Sequence, residues 1–242
     1  MAGSPSKQRL NEYRSKRNFS VSPEPIGRTR AAKKTKATEP IFCVQKHLAS
    51  HLHYDFRLEH NGVLLSWAVP KGPSLNPADK RLAMQVEDHP LDYADFEGVI
   101  AEGYGAGIVM LWDKGTWRPE VKDIDQATRD GELKFSLDGV KLKGSWVLVR
   151  TGATERSWLL IKHRDEWAGD VDITQLAPLS VNSFEDLPGI LAKEKPDVWQ
   201  SHLPSKGGAA GAMLRQVIAE AAKIKAQRLL KTPRKRTAHK IS

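Results

Sequence analysis

One cysteine, Cys43, stands in 242 residues. That excludes an intramolecular disulfide framework and the paired-cysteine spacing of a zinc ribbon, and it fits a reducing intracellular compartment. Set in an apolar run, Cys43 reads as a small buried residue rather than a nucleophile. No apolar run approaches the length of a membrane span. The N-terminal residues are basic and polar, without the apolar segment of a secretory signal. Negative charge is also in deficit. The chain has 38 Lys and Arg against 29 Asp and Glu, for a formal net charge of +9 and a pI of about 9.6. An anionic partner follows, with nucleic acid first. Hydrophobic residues make up 40% of the chain, enough for one sizeable core with tails.

The chain divides into three parts. Residues 1–39 are a basic arm rich in Lys, Arg, Ser and Pro. Its basic run is Arg28, Arg30, Lys33, Lys34 and Lys36, while Tyr13 and Phe19 suit residues 10–25 to docking on the body. Residues 40–195 read as mostly β. Alternating runs at 63–69, 82–86, 108–112, 132–137, 144–149 and 157–161 are separated by turn residues. The turns read as Asn61-Gly62, Asp113-Lys114-Gly115, Leu137-Asp138-Gly139 and Thr151-Gly152. This spacing predicts a closed antiparallel barrel or a sandwich. Short helices are expected at 123–129 and at 183–192, the second capped from the 180–184 region. The third part, 196–242, is a linker, a basic amphipathic helix at 209–231 and a disordered cationic tail. Positive charge at both ends favours electrostatic attachment to DNA over a merely solubilising role.

The stretch that carries chemistry is 41–59. His53, Asp55, Arg57 and Glu59 alternate with Tyr54, Phe56 and Leu58. On a strand, the polar set shares one face and the apolar set the other. Imidazole and carboxylate ligate a divalent cation, and guanidinium binds phosphate oxygens in a fork. His47, just upstream, can fold back as a second imidazole across the 48–52 connection. Two imidazoles and one carboxylate leave coordination positions open for water or substrate. The same spacing equally describes an ordinary half-exposed strand beside a histidine-rich loop.

Further along, Lys71 sits on a stiff Pro/Gly-punctuated turn, where a phosphate-binding lysine can be held. Arg81 follows a polar loop. His89 precedes Pro90, which biases it to an extended backbone, and Tyr93 follows closely. Either ring can donate to a phosphoryl oxygen or a leaving group. Taken alone, His89 is as readily a surface residue between turn-forming Asp88 and Asp92. The Glu102–Gly107 stretch lacks the Lys-Ser/Thr ending and glycine spacing of nucleotide loops and reads as a tight barrel corner. Trp112, Trp117, Trp146, Trp158 and Trp167 read as core or barrel plugs.

Three motifs occur in order: Gln45-Lys46-His47-x-Ala49-Ser50-x-Leu52-His53-Tyr54-Asp55-Phe56-Arg57-Leu58-Glu59, Ser66-Trp67-Ala68-Val69-Pro70-Lys71-Gly72-Pro73 and Val86-Glu87-Asp88-His89-Pro90-Leu91-Asp92-Tyr93. With Glu97-Gly98 and Glu102-Gly103-Tyr104-Gly105-Ala106-Gly107, they closely resemble the 3′-phosphoesterase domain of bacterial DNA ligase D. The resemblance spans roughly residues 10 to 195. It implies a compact β-barrel hydrolase that uses Mn²⁺ to heal DNA 3′ ends, first removing a terminal ribonucleoside and then the 3′-phosphate. It also implies a place in bacterial non-homologous end joining beside Ku and a DNA ligase, hence a cytoplasmic, nucleoid-associated protein. The family's metal ligands match His47, His53 and Asp55, and its phosphate-contacting and catalytic side chains match Arg57, Lys71, Arg81, His89 and Tyr93. Ser66 matches a further active-site position. Arg17 and Glu24 match an N-terminal element.

Two departures stand out. Asn18 replaces the family's aspartate in that N-terminal element, which removes a charge and points to weaker ribonucleoside removal. Ala101 replaces a proline. The ligand set also suits Zn²⁺, Fe²⁺ or Co²⁺. No ligase or polymerase segment follows residue 195, so the chain reads as a free-standing version. Two alternatives stay open: a non-catalytic module that binds DNA ends and recruits ligase or Ku, and an RNA-end phosphatase. Oligomeric state is not legible.

Overall fold

The computed structural model describes residues 8–20, 22–27, 39–193 and 209–231. The basic run at 28–36, the 196–208 linker and the tail beyond 231 lie outside the described residues. The strands are β1 (Ile41–Leu48), β2 (Leu52–His60), β3 (Val63–Val69), β4 (Arg81–Gln85), β5 (His89–Pro90), β6 (Gly98–Ile100), β7 (Gly107–Pro119), β8 (Glu132–Gly139), β9 (Lys143–Arg150) and β10 (Ser157–Lys162). Eight of them close an antiparallel barrel in the order β1-β2-β3-β4-β10-β9-β8-β7, with β7 returning to β1. Closure leaves no free edge along the wall. The two short strands extend it, β5 along β3 and β6 along β7.

Alternation decides what each wall presents. Phe42, Val44 and Leu48 of β1 and Tyr54, Phe56 and Leu58 of β2 pack in the main core with Trp67, Trp112, Trp117, Trp146 and Trp158. All five indoles are fully buried. Trp167 does not join them. It is 47% exposed, because it lies in the loop after β10 rather than on a strand face. The opposite face of β1, β2 and β3 is not left to solvent. A second cluster covers it, built from Leu10, Tyr13, Cys43, Leu64, Tyr93 and Leu111. Tyr13 belongs to helix α1 (Asn11–Ser15) and Tyr93 to a 3-10 turn, Leu91–Asp95. The layer between wall and cover is where polar groups are trapped.

Asn61-Gly62 forms the expected hairpin turn, with φ of 50° and 81°. Asp113-Lys114-Gly115 does not turn. It lies inside the 13-residue β7, at an irregularity where Val44 pairs Asp113 and Gln45 pairs Leu111. The Asp113 carboxylate is buried and accepts backbone N–H bonds from Lys114, Lys141 and Leu142. Tertiary donors thus replace the local turn that an Asp-x-Gly sequence suggests.

Helix α2 (Ile124–Asp130) starts at a cap, Asp123, that accepts from Gln126 N–H at 2.9 Å. After α3 (Ile173–Leu176) comes α4 (Leu187–Leu191), shorter than the 183–192 expected. Phe184 has φ of 59°, which breaks the helical path, and Asp186 rather than the 180–184 region caps the helix. The long helix α5 (Ala209–Lys231) packs Leu214, Val217, Ile218 and Ala221 into the same core as the barrel.

Replacing Asp113 by alanine strands three backbone donors, so Asp113→Ala should lower unfolding free energy in urea by about 2–4 kcal/mol. A loss under 1 kcal/mol would show that the carboxylate is dispensable.

Candidate metal centre

The β1–β2 hairpin builds the centre by register. His47 is directly opposite His53, Gln45 opposite Asp55 and Cys43 opposite Arg57. The three chemistry-bearing residues of β2 therefore meet their counterparts of β1 on the covered face. The two imidazoles have ring centroids 4.8 Å apart. His47 Nδ1 is 3.5 Å from one Asp55 oxygen and His53 Nε2 is 3.7 Å from the other.

The other ring nitrogens decide the tautomers. His47 Nε2 is 3.0 Å from the Gly105 carbonyl, and His53 Nδ1 is 3.0 Å from the His51 carbonyl. A carbonyl only accepts, so each of these nitrogens carries the ring proton. In the neutral rings, the nitrogens facing Asp55 are then bare lone pairs. Two lone pairs and an anionic carboxylate converge with no proton between them, which is unfavourable without a cation. Metal–ligand bonds of about 2.1 Å place neighbouring ligand atoms roughly 3.0–3.4 Å apart, so the two His–Asp55 pairs need little contraction to share one ion, and the imidazoles must draw together more. Its candidate ligand atoms all lie within 4.8 Å of one another. The carbonyls that hold the proton-bearing nitrogens are the orienting outer partners such sites use.

Electrostatics favour the ligating forms of Asp55 and His53. Burial alone pushes the Asp55 carboxyl up, but the Arg57 guanidinium beside it pulls it well below the usual carboxylate range. Burial lowers the His53 pKa, only partly opposed by Asp55. Arg57, 2% exposed, is fixed on three sides. Its Nε donates to Gln45 at 2.8 Å, Nη1 donates to Ser66 Oγ at 2.8 Å, and Nη2 is 3.3 Å from Asp55. Its guanidinium carbon lies 5.0 Å from the Tyr93 ring centroid.

The N-terminal segment supplies the next layer. Arg17, nearly buried, donates to Glu24 at 2.8 Å and to Glu87 at 3.0 Å, and stacks on Tyr13. Lys16 pairs with Glu87 at 3.0 Å, and Tyr93 donates to Glu24 at 3.0 Å. His89 donates from Nδ1 to the Glu87 carbonyl, so Nε2 is free to accept from Arg17 at 3.2 Å. Burial, reinforced by Arg57 and Arg17, lowers its pKa well below the ordinary value. Three cations, Lys16, Arg17 and Arg57, thus face four carboxylates, Asp55, Glu24, Glu87 and Glu102. A divalent ion added to this balance leaves excess positive charge, which a phosphate would neutralise.

These groups border a cavity of about 730 Å³. Of the sequence-predicted residues, His47, His53, Asp55, Arg57, His89, Tyr93, Arg17 and Glu24 line it. Ser66 does not. It lies beneath, holding Arg57 while donating to the Leu64 carbonyl. Lys71 is exposed on the loop after β3, and Arg81 pairs with Asp79 at 2.8 Å. Neither lines the cavity. Asn18 is exposed and accepts from Ser20. Sequence reasoning passed over Gln45, whose amide donates to the Tyr93 and Phe96 carbonyls, and Glu87, which ties Lys16 and Arg17 to the cavity. Gln45 was findable, since it is two residues before His47 on the same strand face. Glu87 carried no local signal.

Residues 45–150 match the family model of the DNA ligase D 3′-phosphoesterase domain. The chain is 54% identical over 171 residues to the multifunctional non-homologous end joining protein LigD of Pseudomonas aeruginosa, covering 69% of this chain and 20% of that protein. It is 42% identical over 182 residues to a LigD of Mycobacterium tuberculosis, described as a multifunctional non-homologous end joining DNA repair protein (74% and 23%). It is 38% identical over 171 residues to the LigD of Mycolicibacterium smegmatis (68% and 22%). The chain therefore spans between a fifth and a quarter of the length of these relatives.

The neutral state of His89 has a pH signature. Its folded pKa is depressed, so its stability contribution is present above the unfolded value of about 6.5 and is lost as pH falls below it. The stability difference between wild type and His89→Gln should shrink by up to about 1.4 kcal/mol per pH unit between pH 6.5 and 5. Chemical denaturation across that range measures it, and a pH-independent difference would mean that His89 titrates normally.

Proposed function

The barrel of this chain belongs to the DNA ligase D 3′-phosphoesterase domain family, and on that premise we propose that it hydrolyses phosphate esters at DNA 3′ ends with a divalent cation held by His47, His53 and Asp55. The observation that carries the reading is the convergence of two imidazole nitrogens on a buried carboxylate beside an anchored arginine. The proposed ion is Mn²⁺, with Zn²⁺ or Co²⁺ compatible with the same donors. When bound, such an ion supplies Lewis acidity toward phosphoryl oxygens and a more acidic water.

The chain's own residues do the rest. Gln45 and Ser66 hold the Arg57 guanidinium so that its unused N–H groups meet a phosphate oxygen without reorganisation. Arg17, released from His89 by an incoming anion, becomes a second donor. The same negative charge raises the pKa of His89, whose Nε2 can then carry a proton toward the phosphate or the departing oxygen. Tyr93 and Glu24 orient Arg17 and the Arg57 face. Lys71 and Arg81 are proposed to reach the substrate's phosphates from outside the lining, as the positions they match in the family suggest.

The substrate proposed is a DNA strand ending in a 3′-ribonucleoside or a 3′-phosphate, converted to a 3′-hydroxyl. The setting proposed is non-homologous end joining, as the names of the relatives describe for those proteins, with Ku and a ligase as proposed partners.

The test uses 5′-labelled primer–templates carrying each end, incubated with Mn²⁺, with a chelator control and His53→Ala. Both ends should become 3′-hydroxyl, and His53→Ala or chelator should cut the rate by at least a hundredfold. Conversion of the phosphate alone would trace the lost step to Asn18. Wild-type rates in His53→Ala would overturn the metal assignment. No conversion despite tight binding would favour a recruitment module.

A further inference from the structure

Four tyrosines occur in the chain, and three of them are buried: Tyr13 (0%), Tyr54 (4%) and Tyr93 (3%). Tyr104 is different. It lines the same cavity yet is 50% exposed, and its hydroxyl makes no hydrogen bond among the described residues. Packing does not account for a large aromatic left in this position.

Its placement is specific. Tyr104 sits between Gly103 and Gly105, whose φ values of 88° and 78° are the left-handed kind that favours glycine. A side chain added at either glycine would meet nothing within 4 Å, so the backbone on both sides of Tyr104 is open. The next residue, Gly105, supplies the carbonyl that orients His47. The ring is therefore tied to the metal centre through one peptide unit. On its other side it is bordered by cations, with Lys16 Nζ 5.0 Å and the Arg17 guanidinium carbon 5.5 Å from its centroid. Ile100 and Leu214, the latter from α5, add apolar surface to the same lining.

We propose that the Tyr104 ring is a stacking platform for a nucleobase flanking the reacting phosphate, and so a specificity-determining residue of this cavity. This rests on the reading that the cavity takes DNA 3′ ends. A phosphate drawn to the centre by Arg57 and Arg17 brings with it a sugar and a planar base, and the exposed ring beside the anion-binding arginines is the flat apolar surface that the base lacks in water. Stacking of this kind tolerates any base, because every base has a π face. Two bases flank the scissile phosphate of a diester: that of the retained nucleotide and that of the departing nucleoside. The chemistry is shared, and the experiment separates them.

The full chain with Mn²⁺ is given four 5′-labelled strands. A 3′-phosphate end carries either a normal terminal base or an abasic tetrahydrofuran residue, and a 3′-ribonucleoside end carries a normal or a base-less terminal residue. Wild type is compared with Tyr104→Ala and Tyr104→Phe. Tyr104→Ala should raise KM about tenfold on the base-bearing member of at least one pair and less than threefold on its base-less counterpart. Tyr104→Phe should stay within about threefold of wild type. Sensitivity in the phosphate pair assigns the retained base, and sensitivity confined to the ribonucleoside pair assigns the departing one. Equal effects with and without the base in both pairs, or a Phe variant as poor as Ala, would overturn the proposal. If wild type converts neither end, it is the proposed function that fails. The same comparison is then read as affinity by fluorescence anisotropy, with the same ratios deciding the role of Tyr104.

Discussion

A carboxylate buried beside a guanidinium is the constraint on which the rest depends. Asp55 is held ionised in a covered layer because Arg57 is 3.3 Å away. Breaking such a pair leaves an uncompensated buried charge. Arg57 in turn has to be fixed from behind, by Gln45 and Ser66, and its face covered by Tyr93. Much of the polar placement on β1, β2 and β3 follows from satisfying these groups without water.

The cover completes the arrangement. Helix α1 and the turn after β5 seal the wall with Tyr13 and Tyr93, but they also bring Arg17, Glu24, Glu87 and His89 to the cavity. The cover therefore does two jobs: it removes the outer wall face from solvent, and it brings Arg17 to a lining that holds four carboxylates, Glu24, Asp55, Glu87 and Glu102. The donors proposed to meet an anion are oriented in advance, which is the condition for electrostatic stabilisation without reorganisation.

Legibility along the chain followed how local each determinant is. The alternation of His53, Asp55 and Arg57 with Tyr54, Phe56 and Leu58 placed the ligands on one face. The same rule applied to β1 makes Gln45 visible as their companion. Asn61-Gly62 turned as its sequence dictates. Asp113-Lys114-Gly115, with the same local signal, stayed in a strand, because donors from residues 141 and 142 claimed its carboxylate. Trp167 looked like core by composition and is exposed by position. Lys71 and Arg81 were grouped with the site by motif, whereas the fold puts them outside the cavity lining.

The sequence by itself determined the strand periods, the apolar set that fills the barrel, the basic balance and the candidate set of two imidazoles and one carboxylate. Each depends on side-chain chemistry and a spacing of two residues, and both are local properties. Only the tertiary structure decided which face of the wall is covered, that Glu87 and Arg17 meet there, that carbonyls of Gly105 and His51 choose the histidine tautomers, and that Tyr104 stands open beside them. Those relations join groups as many as 70 residues apart. Chain closure through β1 and β7 brings such groups together, and no local pattern records it.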